Sequence, residues 1–293
     1  MIMKNNIWAI IEIGSHLTTL MIAKTPKPKV IFTEAQLTGL NLSSAPDEQK
    51  YAKMESLLQD YLEKAKSQTD NILIVGTNIA RDPAVRPKLQ ELAYKLNHHD
   101  LLVLSGEEEA YFSALATLRA FPRKTNMLIF DIGGGSTEFA VIDKKKITSK
   151  FSFPFGGHTV LKKTKHLDKL SKNIRNQLQQ IQIEKKHELI GIGKIPQQIY
   201  FLANMLKTTQ NCHKKKIKTE DIHSTYLRLK ALSKTNTGSD EMELMHAGVF
   251  LTKLLVDFFE ATHITISDKG VAFGLLCQDK TELEKMIEGK TDE

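Results

Sequence analysis

Cysteine is scarce in this chain: 293 residues hold only Cys212 and Cys277, far apart, with no C-x-x-C pair and no spacing that suits a metal. That excludes a disulfide framework and a zinc finger, and it suits a reducing compartment. Long apolar runs are missing too. None approaches the about 18–20 residues needed to cross a bilayer, low-complexity tracts are absent, and the apolar stretch in MIMKNNIWAIIEIGS is interrupted by Glu12 with no small-residue cleavage site after it. No membrane span and no export signal are read, so a cytoplasmic location is expected. Aromatic residues make up 7% of the chain, and none interleave with its basic runs as a stacking surface for single strands requires.

Positive charge is what the chain has in excess. The formal net charge is +7, and lysines cluster at 144–146, 162–165, 185–186 and 214–218. Such a balance is compatible with a polyanionic partner, because counterion release favours that binding. The same runs also suit solvated loops and helix faces. Neither nucleic acid nor membrane is expected as a partner.

The length suggests about two domains, and the periodicity agrees. Strands are expected at 8–13, 17–23 and 29–36, a helix at 47–65, a strand at 72–75, a helix at 87–96, a strand at 101–104 and a helix at 107–119. Near residue 122 the pattern restarts, with strands at 127–131, 137–142 and 146–153, a helix at 169–183 and a strand at 188–192. Helices then dominate, including 240–261, before a strand at 263–267 and a last helix from 270. The expected domains are 1–121 and 122–293, with the last helix (about 270–293) packing back on the first domain.

Laid together, WAIIEIGSHLTTLMIA (8–23) and MLIFDIGGGSTEFAVI (127–142) align without a gap. Glu12 falls on Asp131, Ile13 on Ile132 and Gly14 on Gly133. Two copies of one β-β-β-α module are implied, each with an acid-x-Gly turn between its first two strands. Coincident hairpins are the alternative, since apolar-Gly-apolar patterns are common.

Glycines let backbone N–H groups approach a ligand closely, and neighbouring hydroxyls add donors, which suits a phosphate oxygen. A carboxylate at the strand end cannot ligate phosphate directly, but through Mg²⁺ it offsets phosphate charge. D-x-G-G-G-S-T-E at a strand end, with a second acid-x-G-S turn at the equivalent place, therefore reads as phosphate binding. LSGEEEA (104–110) adds three carboxylates at a strand-to-helix junction. A capped helix start accounts for Glu107 and Glu108; Glu109 differs only if the fold aims it at the substrate. GTNIARDP (76–83) presents Arg81, whose planar fork matches phosphate, although an Arg81–Asp82 surface pair would account for it as well.

At these residues the chain resembles the exopolyphosphatase and guanosine pentaphosphate phosphatase family, a branch of the actin, Hsp70 and sugar-kinase superfamily. The matching stretches are IEIGSHLTTLMIA, VGTNIARD, LSGEEEA, FDIGGGSTEFAVI, FPFGG and ISDKGVAFGLL. The resemblance implies an α/β fold of two ribonuclease-H-like (actin-like ATPase) domains flanking a cleft. It implies Mg²⁺-dependent release of terminal phosphate from inorganic polyphosphate or guanosine pentaphosphate, with inorganic polyphosphate or guanosine pentaphosphate or tetraphosphate as the partner bound. By the same resemblance Glu109 is the general base for water and Glu138 its catalytic companion. Glu12, Asp131 and Glu138 are the metal-side carboxylates, and Gly14, Ser15, His16, Arg81, Gly133, Gly134, Gly135, Ser136 and Thr137 bind phosphate.

The departures are specific. Glu12 stands where the family has Asp, His16 where it has Asn, and GIGKIPQQ (191–198) where it has G-x-G-G-T. GGHTV (157 being its second glycine) stands where Arg often follows, and Lys269 replaces Arg in S-D-R-G. Lys194 adds charge to a phosphate channel or covers a surface helix start. The chain is expected to be the two-domain form. Two alternatives stay open: a catalytically weakened binding or sensor protein for guanosine phosphates or polyphosphate, and an ATP-using kinase-like or actin-like protein. A homodimer is common in related folds, but no stretch marks an interface.

Overall fold

In the computed structural model the described residues are 6–38, 40, 48–163, 166–184, 186–206, 211–233 and 240–288. Position 47, where a helix start is expected, lies outside them, as do lysines 165 and 185 and the last residues, 289–293. The chain divides into two compact units, Met1–Ala116 with Val271–Glu293, and Thr117–Gly270.

The first unit begins with β1 (Ile7–Ile13), β2 (Leu17–Lys24) and β3 (Lys29–Leu37), an antiparallel meander. Helix α1 (Glu48–Lys66), β4 (Ile72–Gly76), a 3-10 turn (Asn78–Arg81), α2 (Arg86–Asn97), β5 (Leu102–Val103) and α3 (Gly106–Ala120) follow. Strand order is β3-β2-β1-β4-β5, with β4 parallel to β1 and β5 parallel to β4. Because side chains alternate along a strand, β1 sends Ile11 and Ile13 to a core with Leu58 and Leu89 of α1 and α2. It sends Trp8 and Ile10 to another core on the opposite face, with Phe112 of α3.

The second unit repeats the plan. Strands β6 (Met127–Ile132), β7 (Thr137–Asp143) and β8 (Lys146–Phe153) form the meander, then come α4 (Gly157–Leu161), α5 (Leu167–Leu178), β9 (Glu188–Ile192), α6 (Lys194–Ala203), β10 (Lys216–Lys218), α7 (Thr219–Ser233), α8 (Asp240–Phe258) and β11 (His263–Ser267). The chain then returns to the first unit through α9 (Val271–Leu275) and α10 (Lys280–Ile287), whose Leu275 and Leu283 join the Trp8 core. The six-stranded sheet has the order β10-β11-β9-β6-β7-β8, with β9 parallel to β6. Leu128, Phe130 and Ile132 enter a core with residues of α5 to α8, so Asp131 falls on the other face of the sheet.

The two hairpins agree in register, residue for residue. Glu12 pairs with Thr19 as Asp131 pairs with Glu138, and Ile13 with Thr18 as Ile132 with Thr137. Each turn is closed by one bond of the same kind, Gly14 N–H to Leu17 O and Gly133 N–H to Ser136 O, both 2.9 Å. The duplication read from the sequence is therefore one of backbone pairing, and the fold is mixed α/β with two sheets.

Three expected elements differ. The helix expected to reach 183 stops at Leu178, where Ile181 N–H bonds Leu178 O and tightens the chain into a turn; the β-branched Ile181 and Ile183 beyond it are poor helix formers. The helix expected to reach 261 stops at Phe258, with Glu260 in the left-handed region (φ 51°) and Ala261 N–H returning to Val256 O. The single last helix is two short ones, and Asp279 caps the second by accepting from Glu282 N–H at 3.0 Å. Among the described residues no helix is long and apolar enough to cross a membrane.

Candidate functional site

In the first unit the turn after β1 is held from behind. Thr38 Oγ1 donates to Gly14 O at 2.8 Å and Thr38 N–H donates to His16 O at 2.9 Å. Thr77, after β4, donates its N–H to Ile13 O at 3.0 Å, and Asn78 Nδ2 reaches Ser15 Oγ at 3.4 Å. A Cβ on Gly14 would lie 2.8 Å from Leu17 O, so only glycine closes this turn without displacement.

Glu12, at the end of β1, is partly buried, and its Oε2 accepts from Ala272 N–H at 3.2 Å, at the start of α9. Burial pushes its carboxyl up to about 7, with the Ala272 amide opposing. The partner is separated by 260 positions, which is why the sequence pattern of β1 does not reveal it.

Arg81 and Glu109 form an ion pair in which Arg81 Nη1 donates to Glu109 Oε1. Nη1 also donates to Leu104 O at 2.8 Å, and Nη2 to Asn78 Oδ1 at 3.2 Å, so the guanidinium is held on both arms. Arg81 thus turns to Glu109; Asp82 instead accepts from Ala84 N–H at 2.9 Å. The acidic run divides as expected. Ser105 and Glu108 make a reciprocal capping box, Glu108 N–H to Ser105 Oγ at 3.2 Å and Ser105 N–H to Glu108 Oε2 at 2.6 Å. Glu109 points inward, 7% exposed, while Glu107 and Glu108 do not share its burial.

In the second unit the glycine turn rests on the start of α4. Gly157 N–H donates to Gly133 O at 3.0 Å and His158 N–H to Gly134 O at 2.8 Å. In a trans peptide C=O and N–H point in opposite directions, so fixing these two carbonyls aims the N–H groups of Gly134 and Gly135 away from α4. Two consecutive outward amides form an anion-binding concavity. The backing is tight: a Cβ on Gly156 would stand 2.5 Å from Gly133 O and 2.6 Å from Gly134 O. The FPFGG segment is thus the support of the turn.

Ser136 is buried beside these amides. Thr137 differs from the sequence expectation. Its hydroxyl is fully buried and donates to Phe155 O at 2.6 Å, which fixes the strand to the FPFGG segment and turns that group away from a phosphate role.

Asp131 and Glu138 face each other across β6 and β7. Residues directly opposite share a face, with Cβ atoms about 4.5–5.5 Å apart, and like charges there repel. Glu138 is buried and accepts from Ser152 Oγ at 2.9 Å. On its other side Asp131 lies against Gly193, whose φ of 84° admits glycine and whose Cβ, if present, would stand 2.8 Å from Asp131 Oδ1. Gly191 and Gly193 are the glycines of the 191–198 segment; Lys194 begins α6 directly after Gly193 and is partly buried.

Among the described residues no group of three or more His, Cys, Asp or Glu gathers as a metal cage. The Asp131–Glu138 pair nevertheless fits Mg²⁺, which takes one or two carboxylates and completes its shell with water and substrate phosphate. Glu12, the third carboxylate expected on the metal side, has one oxygen engaged by Ala272 N–H.

A profile of the Ppx/GppA phosphatase family matches residues 18–282. The chain is similar to the bifunctional 3-dehydroquinate synthase/phosphatase of Fusobacterium nucleatum subsp. nucleatum, at 25% identity over 94% of this chain and 47% of that protein. It is also similar to the guanosine-5'-triphosphate,3'-diphosphate pyrophosphatase of Pseudoalteromonas atlantica, at 28% identity over 46% of this chain and 28% of that protein. The chain therefore spans less than half the length of these relatives. A solved structure of the Aquifex aeolicus PPX-GPPA enzyme superposes with a TM-score of 0.77 at 18% identity, covering 93% of this chain and 99% of that one.

Proposed function

The chain belongs to the Ppx/GppA phosphatase family, and from that premise we propose that it hydrolyses the terminal phosphoanhydride of inorganic polyphosphate or guanosine pentaphosphate. The observation that carries this reading is the carboxylate pair Asp131–Glu138 beside a turn whose Gly134 and Gly135 amides point outward.

Each residue then has a task. The amides of Gly134 and Gly135 receive phosphate oxygens, with Ser136 as an added donor; the Gly133 N–H is already given to Ser136 O. Asp131 and Glu138 would hold Mg²⁺, which would supply neutralisation of phosphate charge. In the first unit Glu109 takes the proton of the attacking water, a contribution of about 10²–10⁴-fold, and Arg81 orients Glu109 and balances its charge until phosphate claims the guanidinium. Within the first unit Gly14, Ser15 and His16 form the corresponding acid-x-Gly turn, with Glu12 as its carboxylate, and would receive phosphate in the same manner. Transfer of phosphoryl to water needs this positioning and charge balance more than covalent chemistry.

The test is phosphate release with Mg²⁺ from polyphosphate of defined lengths, guanosine pentaphosphate and ATP, in the wild type and in Glu109→Gln. Release by the wild type that is lost in the variant supports the reading. Equal and negligible release by both on every substrate overturns it. One observation favours a sensor as the second reading: Arg81 and Glu109 engage each other directly, so the base and the phosphate ligand are paired in this state. A sensor would bind guanosine phosphates or polyphosphate tightly without turnover.

A further inference from the structure

The lysine run 144–146 has no part in the chemistry above. It lies at the other end of the six-stranded sheet from the glycine turn. Strand β6 runs from that edge to the turn over six residues, or roughly 20 Å.

The backbone there is unusual. Lys144 and Lys145 are the two central residues of the β7–β8 hairpin, at φ 47° and 65°, a pair that hairpins normally fill with Asn-Gly. Left-handed backbone is costly for side chains with a Cβ, and it persists where the surroundings over-determine it. Two ties do so: Lys144 N–H donates to Asn126 Oδ1 at 3.0 Å, and Lys145 N–H to Thr125 O at 2.9 Å. These bring Arg123 and Lys124, in the loop before β6, alongside the hairpin.

The acids beside the hairpin are engaged. Asp143 faces His187 Nε2 at 2.8 Å, Glu184 faces Lys186 at 2.8 Å, and Glu188 is bridged by Lys124. Among the described residues Arg123, Lys144, Lys145 and Lys146 have no ion-pair partner. All four are exposed. The four cations thus gather at the loop before β6 and the β7–β8 hairpin, across three neighbouring strands, roughly 10 Å.

We propose that this edge is a docking strip for the phosphate chain of inorganic polyphosphate, separate from the glycine turn. A cluster of unpaired cations matches a densely charged anionic polymer. Nucleic acid is the poorer match, because among the described residues the exposed large apolar side chains of this unit are Met205, Leu227, Leu232 and Met242, none of them aromatic. The strip rests on the hydrolase reading for its meaning, and it makes long polymer the favoured substrate: a chain held at the edge is presented to the turn at raised effective concentration.

Lys144→Asn with Lys145→Gly tests this without endangering the fold, because it installs the preferred turn residues while removing both charges. Binding is measured by fluorescence anisotropy of labelled long-chain polyphosphate in EDTA, where no turnover is needed, against tripolyphosphate and a single-stranded oligonucleotide. The expected result is a roughly tenfold loss of affinity for the long polymer at low salt, with the slope of log affinity against log salt reduced by about 1.5. Tripolyphosphate release kinetics should be unchanged. A loss of this kind supports the strip even in a chain that releases no phosphate. Unchanged long-polymer affinity, or oligonucleotide binding as tight as polyphosphate binding, overturns it whatever the catalytic result.

Discussion

Asp131 and Glu138 stand directly opposite each other on β6 and β7, two carboxylates on one face of a sheet, with Glu138 buried and held by Ser152. Apposed like charges cost stability, and a divalent cation removes that cost. Mg²⁺ should therefore raise the melting temperature of the wild type. Glu138→Gln, nearly isosteric, should leave the Mg²⁺-free melting temperature equal or higher, abolish the Mg²⁺ increment and reduce phosphate release at least about 100-fold. Thermal melts with and without Mg²⁺ check this. A variant that keeps the full increment would remove Glu138 from the metal side.

Gly156→Ala should destabilise by about 1–3 kcal/mol, because its methyl would overlap the Gly133 and Gly134 carbonyl oxygens. The backbone at Gly156 is extended (φ −149°), so the loss would come from contact and not from conformation. Displacing the turn should also raise KM for phosphate substrates more than it lowers kcat. Urea unfolding and steady-state kinetics read the two effects separately.

Arg81→Met should cost about 3 kcal/mol by leaving Glu109 buried without its cation. Adding Glu109→Gln should recover much of that stability while activity stays lost. The double-mutant cycle in chemical denaturation measures the coupling. Additive effects would show that the pair contributes nothing.

The Glu12 carboxyl is raised to about 7 in the fold from an ordinary 4.5, chiefly by burial. The folded state then binds more protons than the unfolded state between those values, so stability should fall as pH rises from about 4.5 to about 7 and stay level above. The drop should be on the order of 2 kcal/mol after allowing for partial exposure. Glu12→Gln should flatten it. Urea unfolding without divalent ions at several pH values across this window provides the measurement, and an identical slope in the variant would reject Glu12 as its source.

The inner meander strands were legible because short apolar runs bounded by turn residues are a local property of the chain, and β1, β6 and β7 are buried almost throughout. So was the duplication, whose gapless alignment reappears as one shared register. The division of the acidic run was legible only in part: Ser105 and Glu108 advertise a cap, but the inward turn of Glu109 depends on Arg81, 28 positions away. The support of the glycine turn by Gly157 and His158, and the grip of Ala272 on Glu12, involve backbone N–H groups, which every residue but proline has. Composition carries no trace of which amides are so used. Lys194 does begin a helix, one of the two readings offered for it, and Pro196 fits there because it stands in the first turn, where its missing N–H costs nothing.

The shared register has one more consequence. Because both hairpins are pinned by the same pairing, the residue opposite the strand-end acid can change without moving any backbone: it is Glu138 in one copy and Thr19 in the other. A doubled scaffold therefore separates shape from charge. One copy carries two facing carboxylates and the other an acid facing a hydroxyl, so a shared form holds two different chemistries, and Thr19→Glu is the single change that would place a facing pair in the first turn as well.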